Sequence, residues 1–277
     1  MSPNARLSVV LPLLAGASLF VQGCQTLDSA ASSVTSLFQA DQPPAPPPPT
    51  AAELTTTGLD AVKQHDWDAA TAALVPAANQ GDTKAQVALG KLYFNGVGVE
   101  RDFADASHWL TLAAEKNDAE AQYTLGRIND LGGTGVLQNR AAAAHWYQLA
   151  AEQGNADAQY RLGLLYEFGT GVPQDFNAAL GWFRRAAAGG NAPANAAIGL
   201  LYAQGRGVTQ NDHEAVSWYR RGAEAGDTDA MVHLSEAYNQ GDGVPKDRDK
   251  AREWLQRAAG SGNDQAAQRL SLPELPE

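Results

Sequence analysis

Five tryptophans recur at Trp109, Trp146, Trp182, Trp218 and Trp254, separated by 37, 36, 36 and 36 residues. A period of this length constrains the fold strongly, because one unit is too short to bury its own apolar face and must stack on its neighbours. The same small residues return around each indole. Alanine stands three positions before it (Ala106, Ala143, Ala179, Ala215, Ala251) and five after it (Ala114, Ala151, Ala187, Ala223, Ala259). Offsets of three to five trace one face of a helix, not a strand. Small alanines admit a neighbouring helix, and the indole is expected to fill the gap between the two.

A further helix is expected ahead of each tryptophan helix. Its core positions are Ala85, Leu89 and Tyr93, then Ala158, Leu162 and Tyr166, then Ala194, Ile198 and Tyr202, then Ala230, Leu234 and Tyr238. The second repeat has Ala121, Leu125 and Asn129, so its tyrosine is missing. Next to the aliphatic residue stands Gly90, Gly126, Gly163 or Gly199, replaced in the fifth repeat by Ser235. Glycine inside a helix costs about 1 kcal/mol relative to alanine, so its return implies close backbone contact with the paired helix.

The punctuation agrees. Asp82, Asp118, Asn155, Asn191, Asp227 and Asn263 each stand three residues ahead of a core alanine, where a side-chain oxygen can accept from a free amide of the first turn. Asp102, Asn139, Asp175, Asn211 and Asp247 precede the tryptophan helices likewise. The residue before each first cap is Gly81, Asn117, Gly154, Gly190, Gly226 or Gly262, types that tolerate a left-handed helix ending. A Gly-x-Gly-Val turn, as in Gly96 to Val99, joins the two helices. The second repeat has one extra residue there (Gly132, Gly133, Thr134, Gly135), which accounts for its longer spacing.

This pattern, nearly unaltered over 158–187, resembles the Sel1-like repeat, a cousin of the tetratricopeptide repeat. The resemblance implies an all-α chain, a right-handed α-solenoid with five helix pairs over 82–263. Residues 58–81 lack the glycine turn and are expected to form a divergent tetratricopeptide-like cap, with Trp67 in register with Phe103 and Phe176. Residues 264–277 are expected to be a C-terminal cap and tail, stopped by Pro273 and Pro276.

The first residues look like an address. Leu7 to Val21 is an uncharged run of fifteen residues behind Arg6. At about 1.5 Å per residue it falls short of a membrane's ~30 Å hydrocarbon core, so residues 1–23 fit a signal peptide better than a span. The lone cysteine, Cys24, follows Val21, Gln22 and Gly23 in an arrangement similar to a bacterial lipobox. That resemblance implies a lipidated Cys24 and an anchor in the membrane; the competing reading is an ordinary thiol. By resemblance to lipoprotein sorting, Gln25 in place of Asp favours the outer membrane, facing the periplasm, over inner-membrane retention. Residues 24–57 form the expected tether. Six prolines between Pro43 and Pro49 favour polyproline II, either as a stand-off from the lipid surface or as a ligand for a proline-binding domain.

Chemistry is harder to find. Lys+Arg 20 against Asp+Glu 31 gives a net charge of -11, which disfavours nucleic acid as a partner. His108 and His145 precede equivalent tryptophans but lack the spacing of a metal pair. The Gly-x-Gly turns lack phosphate-loop spacing, and neither Ser-x-x-Lys nor Gly-x-Ser-x-Gly occurs. No catalytic residue, metal or cofactor is therefore expected. The expected function is a non-enzymatic adaptor for a protein, peptide or envelope polymer; the alternative is a cell-wall-directed hydrolase or β-lactam-binding enzyme. On the first helix of each repeat, offsets of -2, +2 and +5 from the core aliphatic point away from the paired helix, and the tetratricopeptide resemblance implies that they line the concave surface. Those positions place Phe94, Tyr123, Arg127 and Tyr160 as candidate partner-binding residues; the same offsets also take in the charged Lys91, Asp130, Glu167 and Glu236. The opposing reading is that such side chains fill the grooves between repeats.

Overall fold

Thr50 closes the proline run and starts the first helix. Its hydroxyl accepts from the Glu53 amide at 3.3 Å, and the Glu53 carboxylate accepts from the Thr50 amide at 2.8 Å. This reciprocal cap satisfies two donors that a helix start leaves free. The computed structural model describes residues 47–271, so Cys24, the signal segment and the last six residues lie outside the described residues.

Thirteen helices follow among the described residues. They are α1 (Ala51–Lys63), α2 (Trp67–Asn79), α3 (Thr83–Asn95), α4 (Phe103–Ala114), α5 (Ala119–Leu131), α6 (Arg140–Glu152) and α7 (Ala156–Phe168). The series continues with α8 (Phe176–Ala188), α9 (Ala192–Gln204), α10 (Asp212–Glu224), α11 (Thr228–Gln240), α12 (Arg248–Gly260) and the short α13 (Asp264–Leu270). Consecutive helices pack in pairs and each pair packs on the next, giving an all-α solenoid. The expected Asx caps are all in place, with amide distances such as 2.9 Å for Ala85 to Asp82 and 2.8 Å for Ala158 to Asn155. Before them Gly81, Asn117 and their counterparts adopt positive φ.

The N-terminus differs from the sequence reading. The expected tether reached residue 57 and the cap began at 58, but α1 already starts at Ala51 and completes a full pair with α2. Only three residues, 64–66, join α1 to α2, where seven join α3 to α4. This pair therefore has the repeat's helices without its glycine turn. Glu53 and Thr57, on the outward side of α1, are exposed, which suits the end of a stack.

The recurrent glycines have a specific neighbour. A Cβ on Gly90 would lie 2.5 Å from Leu110 Cγ, and one on Gly163 would lie 2.5 Å from Phe183 Cε1. Gly126 meets Tyr147, Gly199 meets Tyr219, and in the cap Gly58 meets Leu74. What approaches closely is mainly a side chain, with backbone second. In the fifth repeat the Ser235 hydroxyl donates to the Ala251 carbonyl at 2.6 Å.

Each inserted side chain is the residue after the repeated tryptophan, or Leu74 in the cap. Leu110, Tyr147, Phe183 and Leu255 are at most 1% exposed, and Tyr219 is buried. The tryptophans themselves are only half-buried, so each indole fills the gap between helices only in part. Trp109, Trp146, Trp182, Trp218 and Trp254 each pack on a core cluster that joins the second helix of the preceding pair to the first helix of their own. Guanidiniums of Arg185, Arg221 and Arg257 lie 4.7, 4.5 and 4.2 Å from the centroids of Trp182, Trp218 and Trp254. Buried glutamines also tie units together: Gln86, Gln122 and Gln159 donate to the carbonyls of Ala78, Ala114 and Ala151 at 3.1, 3.3 and 3.0 Å.

Candidate functional site

The first helices of neighbouring pairs touch one another directly: α1 with α3, α3 with α5, α5 with α7, and α9 with α11. The second helices share no comparable contact, so the first helices form the inner layer. Between α7 and α9 the direct contact is marginal at most.

Three of the four candidate residues converge. The Arg127 guanidinium lies 4.6 Å from the ring centroid of Phe94 and 5.8 Å from that of Tyr123. Phe94 is 6% exposed and stacks on Phe103 with centroids 5.3 Å apart. It is a groove filler beneath Arg127, not a displayed anchor, and on this residue the opposing reading prevails. Tyr123 and Arg127 remain half-exposed at the surface of that stack. Tyr123 also leans on Tyr147, at 6.0 Å between centroids. Lys91 pairs with Glu120 across the α3–α5 groove at 2.9 Å.

Tyr160, the fourth candidate, sits apart. Its ring lies 5.8 Å from that of Phe183 and forms one wall of a hollow of about 430 Å³ over α7, α9 and α11. Leu164, Leu200 and Val232 supply apolar walls, and Phe168, 63% exposed, stands at its edge. Four carboxylates line the hollow, Glu167, Asp227, Asp229 and Glu236, against one guanidinium, Arg269. Three of the four have assigned work. Glu236 accepts from Arg269 at 2.5 Å and bonds His233 Nδ1 at 3.1 Å. These partners hold its carboxyl below the usual range, the His233 bond most. Asp227 caps α11 through the Ala230 amide at 2.7 Å, and Asp229 accepts from Asn263 at 3.3 Å. Burial nevertheless pushes the Asp227 carboxyl up.

Glu167 is different. It is 8% exposed, and its carboxylate has no hydrogen-bond or ion-pair partner among the described residues. Burial raises its pKa, with Arg206 opposing from a distance. The sequence placed Glu167 and Glu236 at inner-face offsets but gave no signal that Glu167 is buried. His108 and His145 each contact the adjacent tryptophan, and the described residues hold no group of three metal-ligating side chains.

The Sel1 repeat model matches five consecutive segments, 83–118, 119–155, 156–191, 192–227 and 228–263. The chain belongs to the Sel1 repeat family. Each Sel1 segment opens on the first residue of an inner helix, directly after its Asx cap. Among solved structures, a Sel1 repeat protein from Oxalobacter formigenes is 35% identical over 80% of this chain and 92% of its own, with a TM-score of 0.73. A protective antigen present in uropathogenic Escherichia coli strains, displaying an SLR fold, is 33% identical over 86% of this chain, also at a TM-score of 0.73. The chain spans 50% of that antigen's length. No curated protein matches it.

Proposed function

We propose that this Sel1 repeat protein is a non-enzymatic interaction scaffold, anchored in the bacterial outer membrane through a lipidated Cys24 and facing the periplasm. Its inner face holds a segment of a partner protein. The observation that carries the scaffold reading is the inner layer itself: stacked helix pairs present half-exposed Tyr123 and Arg127 over α5 and Tyr160 in the hollow over α7, α9 and α11. Aromatic and arginine side chains that lose water on contact are the usual anchors of protein interfaces. Such a face needs no chemistry of its own; it needs stiffness, and stacked pairs provide it.

Cross-linking in native envelopes tests the inner face. Wild type captures a partner, and the combined Tyr123→Ala, Arg127→Ala and Tyr160→Ala variant loses it with little change in thermal midpoint. Capture that survives places the binding surface elsewhere. For the anchor, palmitate labels wild type and not Cys24→Ser; equal labelling of both overturns lipidation at Cys24.

A further inference from the structure

We propose that the hollow over α7, α9 and α11 docks a cationic side chain, a lysine or arginine presented on an apolar partner segment, with Glu167 as its counter-charge. The inference rests on the inner-face reading and names the chemistry of one occupant. Confining a carboxylate to a hollow with apolar walls and no donor of its own costs part of its hydration, which a cation would restore. Glu167 is over nine-tenths buried as a residue, yet its carboxylate opens into the hollow and has no hydrogen-bond or ion-pair partner among the described residues, whereas Glu236, Asp227 and Asp229 each have a donor. Arg206, the cation whose field reaches it, sits over the Phe176 ring at 5.6 Å instead of forming an ion pair with it.

The surroundings fit an aliphatic stem ending in a charge. Leu164, Leu200 and Tyr160 wall the approach, and the exposed Phe168 offers an apolar contact at the rim. Lysine and arginine bury their stems along such surfaces while the head seeks an acceptor. A charge-assisted hydrogen bond to Glu167 then offsets the desolvation already incurred by the folded chain. Four carboxylates against one guanidinium exclude an acidic side chain from the same place.

The test uses the full chain and an array of immobilised hexapeptides with randomised apolar flanks and a fixed central Lys, Arg, norleucine or Glu. Lys and Arg members should retain the protein at least tenfold better than norleucine members, and Glu members should not bind. Glu167→Gln should abolish the Lys preference while raising the thermal midpoint, whereas Glu120→Gln, on the exposed Lys91 pair, should leave the preference intact. If norleucine and Lys members bind equally and Phe168→Ala weakens both, the cation site is wrong while the inner face stands. If no member binds wild type, both the cation site and the inner-face reading fall.

Discussion

Phe183 and Trp182 are neighbours in sequence with different duties, and the contrast can be measured. Phe183 is fully buried against Gly163, so Phe183→Ala should cost about 3–5 kcal/mol. Trp182, half-buried on the cluster between α6 and α7, should cost roughly half of that range when cut to alanine. Urea unfolding of the two variants decides the order; a larger loss at Trp182 would reverse it. Gly163→Ala should also destabilise, by about 1–3 kcal/mol, because its Cβ meets the Phe183 ring. That loss should shrink in combination with Phe183→Leu. The tryptophans drew the sequence reading because they are rare and invariant in register. The residues that insert within each pair were not legible: the position reads Leu, Tyr, Phe, Tyr and Leu in turn, so no single identity marks it.

Helices and turns were the most legible scale, because caps and glycine turns are local chemistry that depends on few distant contacts. Asn155→Ala should lower stability by about 1 kcal/mol, since its side chain accepts from the Ala158 amide at 2.8 Å. The first helix was misread because Ala51 to Thr57 follows the prolines and carries no repeat signature; the usable signals were Thr50 with Glu53 and Gly58 with Leu74. A chain beginning at Gly58 should therefore melt lower than one beginning at Pro49, as it loses the cap and half of α1 over Ala70, Leu74 and Ala77. Equal midpoints would mean that α1 contributes nothing to the stack. The candidate site was half legible for the same reason. Register placed Tyr160 and Glu167 on the inner helix face, but the covering of Phe94 by Phe103 and Arg127, and the walls around Glu167, come from other helices.

Across the whole molecule the carboxylates set a pH dependence with two opposed windows. Burial raises the pKa of Glu167 and of Asp227 above their unfolded values, so the folded chain takes up protons first as pH falls. By linkage, stability then rises as pH drops through that raised window. The net charge of -11 acts in the same direction, because protonation relieves self-repulsion. Glu236 acts oppositely: His233 and Arg269 hold it below its ordinary value, so its contribution is present above that value and disappears as pH falls through the lowered one. The gain comes at the higher pH and the loss at the lower. Calorimetry should therefore show the thermal midpoint rising as pH falls from neutrality into the window of the raised carboxyls, and falling again at more acidic pH as Glu236 is protonated. Glu167→Gln should flatten the rise by lifting the neutral-pH end, leaving the acid limb to Glu236. A wild-type midpoint that declines steadily as pH falls from neutrality through that window would show that these carboxyls carry no folding penalty, and the hollow would then hold no stored demand for a cation.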